Sequence, residues 1–279
     1  MKTILIPTED HEWMPAVLAT ARLIASRFDS YMEGFAVHPV AAEFIAVEPV
    51  SSLTMASSDD SDAEIAAQAR SIFEAFMQAH QVPRAAQQGI TAYSFDWIRT
   101  AAEDDAFVGS YGRLFDLTVL GRPGRSPQHP RMAPLEAALF ESGHPVLIAP
   151  PAAPRVMGQN VLVAWNGSTE QARTTTFALP LLREANEVTV LTVEGGMTPG
   201  PTGEEAAHSL RRHGIEAAAI TVAPGTRTTG EAILDHARLL GCDLLVKGAY
   251  TQSRLRQIIF GGATRHILAN TELPVLMAH

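Results

Sequence analysis

Phe115-Asp116-Leu117-Thr118-Val119-Leu120-Gly121 and Cys242-Asp243-Leu244-Leu245-Val246-Lys247-Gly248 are two versions of one phrase, 127 positions apart from Asp116 to Asp243. Each reads aspartate, a short apolar run, glycine. Each is followed, after a similar interval, by a second shared phrase: His144-Pro145-Val146-Leu147-Ile148 and Leu273-Pro274-Val275-Leu276-Met277. Self-similarity at a domain-sized period means duplication of a folding unit. The unit's opening is repeated as well, in Thr3-Ile4-Leu5-Ile6-Pro7-Thr8-Glu9 and Asn160-Val161-Leu162-Val163-Ala164-Trp165-Asn166. Continuous apolar runs of this length suit strands buried on both faces, as in a parallel sheet.

Working outward, an amphipathic stretch follows each opening strand, over residues 12–28 and 168–185. Strands alternating with helices predict a doubly wound α/β fold, with helices on both faces of a parallel sheet. The second unit's expected strands are Asn160–Ala164, Glu187–Val193, 215–222, 243–247 and 274–278. The expected units are residues 1–150 and 158–279, joined by the donor-poor linker Pro150-Pro151-Ala152-Ala153-Pro154. The first is longer, and the excess is assigned to an insertion near residues 40–62, whose Ser57-Ser58-Asp59-Asp60-Ser61-Asp62 end reads as loop and helix cap. Its apolar Phe44, Ile45 and Val47 suit either a cover for the first unit's cleft or a partner surface. Ligands in such folds bind beyond the carboxyl ends of strands, where strand order reverses.

The bulk composition agrees with a packed domain: 46% hydrophobic and 18% charged residues among 279. A net charge of -9 argues against a general nucleic-acid or anionic-membrane binder. With a single cysteine, Cys242, no intramolecular disulfide forms, and a reducing, cytoplasmic compartment is the expectation. The opening apolar run is too short for a signal-peptide core, and no run of about 18 apolar residues appears.

Chemistry-bearing candidates are few. His213, His236, His266 and His279 do not fall in a metal-ligand spacing. Nothing adjacent in sequence activates Cys242. Ser168, in Trp165-Asn166-Gly167-Ser168, lacks the G-x-S-x-G context of a hydrolase nucleophile and reads as a helix N-cap. Asp104-Asp105 and residues 59–62 read as solvated acidic faces.

The stretch after the second phrase is more specific. Gly248-Ala249-Tyr250-Thr251, then nine residues, then Gly261-Gly262-Ala263-Thr264 resembles the phosphate loop of the universal stress protein family: Gly, two residues, Gly, nine residues, Gly and Ser/Thr. Thr251 and Gly262 depart from that pattern, and Thr264 supplies a hydroxyl nearby. The loop is intelligible physically, because glycines admit close backbone approach and helix-start amides favour anionic oxygens. Arg254, Arg256 and Arg265 add positive charge. The resemblance extends over nearly the whole chain and implies tandem doubly wound five-stranded domains. It also implies an adenine nucleotide, ATP or AMP, held by Gly248, Thr251, Gly261, Gly262, Ala263 and Thr264 at the phosphates and ribose. Asn166 and Val193 would hold the adenosine end. The family has aspartate where Asn166 stands. Asparagine lends no charge to a metal, so Mg²⁺ is disfavoured there.

The first unit keeps Gly121-Arg122-Pro123-Gly124, but Met132-Ala133-Pro134-Leu135 replaces the second glycine cluster and Glu9 replaces the family's aspartate. It reads as a degenerate, structural copy, plugged by proline and bulky side chains. In the family the last strands pair across a two-fold axis, so the resemblance implies that Val146–Ala149 pairs with residues 275–278 as an internal pseudo-dimer, with a homodimer of whole chains also open. The function implied is a stress-associated, non-enzymatic nucleotide binder. The other reading is a nucleotide-independent protein-interaction scaffold. ATP hydrolysis ranks behind both, since no general base stands beside the loop.

Overall fold

The computed structural model describes residues 1–38, 59–85, 92–99, 101–249 and 262–279. Phe44, Ile45, Val47, Thr251, Arg254, Arg256 and Gly261 lie outside the described residues. In the first half β1 (Thr3–Thr8), β2 (Tyr31–Ala36), β3 (Ser94–Trp97), β4 (Leu117–Gly121) and β5 (Val146–Ala149) alternate with α1 (Met14–Phe28), α2 (Asp59–Ala79), α3 (Asp105–Gly112) and α4 (Met132–Glu141). The second half repeats the order with β6 (Asn160–Ala164), β7 (Glu187–Val193), β8 (Ala217–Val222), β9 (Leu244–Val246) and β10 (Val275–Met277). Its helices are α5 (Thr169–Arg183), α6 (Gly203–Arg212), α7 (Thr229–Leu239) and α8 (Gly262–Asn270).

All ten strands form one sheet, in the order β3-β2-β1-β4-β5-β10-β9-β6-β7-β8. Each half is parallel and doubly wound, and the two meet at one antiparallel pair. There Ile148, Leu147 and Val146 lie opposite Val275, Leu276 and Met277, so the expected pairing of the last strands is present. Neither half leaves its fifth strand as an open edge, the surface that otherwise recruits other chains.

Alternation along the strands divides the apolar side chains between two helical layers. Ile4, Ile6, Val161 and Val163 join a core with Leu18 of α1, Phe73 of α2, Leu181 of α5 and Leu210 of α6. Leu5 and Leu162 face the opposite core, with Val108 of α3, Leu135 of α4, Ile233 of α7 and Ile267 of α8. Both cores run through both halves. No helix among the described residues is long and apolar enough to cross a membrane.

The repeated aspartate has a structural task at the end of the sheet away from the switch points. Asp243 accepts hydrogen bonds from the amides of Gly158, Gln159 and Asn160 at 2.8–3.1 Å, and Asp116 accepts from those of Lys2 and Thr3. A carboxylate one residue before the fourth strand thus secures the entry of the first strand in both units, a strong arrangement because the acceptor is charged. Arg27 reaches across the halves to Glu184 and to the carbonyls of Met157 and Gly158.

Several details differ from expectation. Residues 59–62 belong to α2 and are not loop; an acidic first turn suits a helix start. That helix has 21 residues against 10 in α6, which accounts for part of the first half's extra length. The third strand of the second half begins at Ala217, because the Ile215 amide is used to close α6 through Leu210 O. Asp104 is exposed, as expected, and caps α3 by accepting the Phe107 amide at 2.9 Å, whereas Asp105 is half-buried and paired with Arg131, so only one of the two is a solvated acid.

Leu276→Ala should lower stability by about 2–5 kcal/mol, the usual cost of emptying a fully buried leucine site. Because both cores cross the seam, urea unfolding should remain one transition by tryptophan fluorescence, with Trp13 and Trp97 in one half and Trp165 in the other. Two separated transitions would show the halves to be independent.

Candidate functional site

Strand order reverses in the second half between β6 and β9, so the crevice opens beyond their carboxyl ends. Asn166, two residues past β6, uses its Oδ1 to accept the Ser168 amide at 3.2 Å, a local turn that feeds α5. Ser168 then caps α5 by accepting the Gln171 amide at 3.1 Å, as its sequence context implies. Gly167 takes φ +79°, and a Cβ there would stand 2.9 Å from Thr198 O, so the turn needs glycine. Residues 195–201 fold back over this corner: Asn166 O accepts the Thr198 amide at 2.9 Å, and Trp165 Nε1 donates to Pro201 O at 2.8 Å.

Among the described residues these elements enclose a cavity of about 40 Å³, room for roughly three water-sized groups. Asn166, Val193, Gly196, Thr229, Lys247 and Ala263 are among its lining residues. Of the residues expected to hold ligand, Asn166, Val193 and Ala263 are therefore brought together. Thr264 is buried in the first turn of α8, next to Ala263, and is not on the lining. Gly262 is exposed, and a Cβ on it would meet nothing within 4 Å.

Gly248 does not offer a bare amide. Its N–H donates to Gln171 Oε1 at 2.7 Å, and a Cβ would lie 2.5 Å from the Gln171 nitrogen. Glycine is required here because the start of α5 packs on the strand end. The Thr264 hydroxyl is engaged too: Lys247 Nζ donates to it at 3.0 Å and to Gly248 O at 2.8 Å.

Lys247 was not among the expected site residues. Its side chain is only 9% exposed, and burial pushes the ammonium pKa down to about 8. The signal was in the repeated phrase itself, where the first unit has the buried Leu120 at the matching position. A lysine closing an otherwise apolar buried strand is a misfit that marks a site.

The first half's switch point is closed differently. Arg131, the N-cap of α4, donates from Nε and Nη2 to Glu9 and from Nη1 and Nη2 to Asp105 at 2.7–2.8 Å. Burial holds the Glu9 carboxyl above its usual range, against the opposing pull of Arg131. The triad pairs the charges at this position with one another. Pro134 sits in the first turn of α4, where no helical partner for an N–H exists, and Leu135 packs in the core.

A larger groove of about 290 Å³ runs between α7 and α8, but its Arg227 and Arg238 are both paired with Asp235, leaving a self-neutralised surface. Burial raises the Cys242 thiol to about 11, so it is not a ready thiolate.

Two measurements test these assignments. An unfolded lysine keeps a pKa near 10.4, so between about pH 8 and 10.4 the unfolded chain binds the extra proton and stability rises with pH; from pH 7.5 to 9.5 the gain should be about 1–2 kcal/mol. Urea melts should lose that increment in Lys247→Met, which should be at least as stable as wild type at pH 7.5. Arg131→Met should destabilise by about 2–4 kcal/mol, since it strands two partly buried carboxylates.

Residues 157–279 match the model of the universal stress protein family. A curated relative, stress response protein NhaX of Bacillus subtilis (strain 168), is 36% identical over 47 residues, which cover 17% of this chain and 28% of that protein. The match thus spans less than a third of that relative's length. A solved universal stress protein from Archaeoglobus fulgidus DSM 4304 superposes with a TM-score of 0.70 at 14% identity, covering 99% of this chain and 97% of its own. A protein of unknown function from Pseudomonas aeruginosa PAO1 gives 0.61 at 15%, covering 100% and 92%. At such identities the structural likeness speaks to the fold alone. The chain therefore carries a universal stress protein domain in residues 157–279, set beside a first half of the same strand order.

Proposed function

We propose that the protein is a stress-associated, non-enzymatic binder of an adenine nucleotide, ATP or AMP, at the carboxyl ends of β6, β7 and β9. The observation that carries this reading is the convergence of Asn166, Val193 and Ala263 on one crevice at the switch point, beside the start of α8. Helix-start amides and the Lys247 ammonium favour phosphate oxygens there. The apolar Val193 and Ile233 offer contact to a base or ribose at the mouth. Thr251, Gly261 and Gly262 complete the phosphate-loop spacing and are proposed as further contacts, as are Gly248 and Thr264 once their internal partners exchange. Asn166 carries no charge, so binding is proposed to need no Mg²⁺.

A second reading has its own observation. The Gly248 amide and the Thr264 hydroxyl are both satisfied internally, which is what a scaffold that binds no nucleotide would show.

Titration calorimetry and thermal shift with ATP and AMP, each with and without Mg²⁺, separate the two. Ligand at 100 times its Kd should stabilise the fold by about 2.7 kcal/mol, a shift of several degrees. Ala263→Leu, which fills the crevice with a good helix former, should abolish the shift. No heat and no stabilisation with either nucleotide would leave the scaffold reading.

A further inference from the structure

We propose that Lys247 is the seat of a tetrahedral oxyanion, the phosphoryl end of a small ligand, held by the buried ammonium without a bridging metal. The proposal takes the ligand's identity from the nucleotide reading and assigns which group of this chain carries its charge.

The side chain is nine-tenths buried and lines the crevice. An ammonium has three N–H donors. Two are used, on Gly248 O and Thr264 Oγ1, both uncharged acceptors. Among the described residues, one donor remains for the crevice. Among the described residues no carboxylate forms an ion pair with Lys247. The charged groups on the surrounding elements are otherwise placed. Glu170 lies in the first turn of α5; Glu231 on α7 is half-buried and accepts from the Thr228 amide; Arg265 and His266 lie on α8; and Glu194 follows β7 in an exposed position.

The partner that Lys247 does touch makes its charge harder to hold. Thr264 is the third residue of α8, so the ammonium sits at the positive end of a helix dipole, where cations are disfavoured and anions favoured. A buried cation against a helix N-terminus, with no compensating carboxylate among the described residues, is an arrangement that an anion relieves twice over. The cavity has the matching size, since three water-sized groups approximate one phosphoryl or sulfate group. Asn166 and Thr229 supply neutral polar groups on the lining, and no carboxylate there stands ready to hold a divalent cation.

The test is calorimetry with sulfate, whose charge is constant over the range used, and with AMP, on wild type and Lys247→Met, without divalent metal. Both ligands should bind wild type and lose at least tenfold in affinity in the variant. For wild type, the sulfate affinity should fall about tenfold from pH 7 to pH 9, because a group titrating near 8 is about one-tenth protonated at pH 9. This arm needs no variant and holds even if Lys247→Met misfolds. Equal AMP affinity in wild type and a folded Lys247→Met overturns the proposal while the nucleotide reading stands. Sulfate binding that depends on Lys247, with no AMP binding to wild type, sustains the proposal and removes the nucleotide reading. A pH-independent sulfate affinity, or no binding of either anion to wild type, overturns the proposal.

Discussion

The antiparallel pairing of Val146–Ala149 with Val275–Met277 is the constraint on which the rest of this molecule depends. Each half presents a parallel sheet whose fifth strand needs a partner, and parallel sheets need cover on both faces. Joining the two fifth strands satisfies the edges and aligns the helical layers, so that α1, α2, α5 and α6 share one core and α3, α4, α7 and α8 the other. The seam also brings loops of one half onto helices of the other. Arg122, in the loop after β4, donates to the carbonyls of Ala269 and Thr271 at the end of α8, a favourable place for a cation. The helix whose first turn meets Lys247 is therefore held at its far end by the first half.

Identical topology places two switch points in the chain, and the side chains there have diverged in charge logic. At the first, Arg131 answers two carboxylates and the position is internally closed. At the second, a lone ammonium shares its donors between a carbonyl and a hydroxyl, with no countercharge among the described residues. The first arrangement is self-sufficient. The second is costly to the folded state, since taking an ammonium out of water without an anionic partner is unfavourable. An anion held as proposed would relieve that cost, and on that proposal one duplicated fold carries a self-paired site beside a receptive one.

Glycine illustrates how one residue type answers different demands in this chain. At Gly167 a left-handed backbone and the crossing Thr198 carbonyl both require it. At Gly248 the requirement is the close approach of α5. At Gly262 no packing demand exists, and the open backbone is left facing solvent. The family spacing treats the last two alike; their surroundings do not.

The sequence by itself determined the duplication, the α/β alternation and most strand positions, because these follow from local apolar periodicity and from phrases repeated at a domain's length; the pairing of the last strands was implied by the family resemblance. It also marked Ser168 as a cap, a contact within four residues. Only the tertiary structure decided how the two sites are furnished. Gln171 meets Gly248 from 77 positions away, Lys247 meets Thr264 from 17, and Arg131 meets Glu9 from 122. Such partners are chosen by the crossing of helices over strand ends, and no periodicity along the chain encodes them. The sequence did hold one clue to the proposed anion site, Lys247 where the first copy has Leu120. Its meaning stayed closed until the structure showed the ammonium buried, with no carboxylate partner among the described residues.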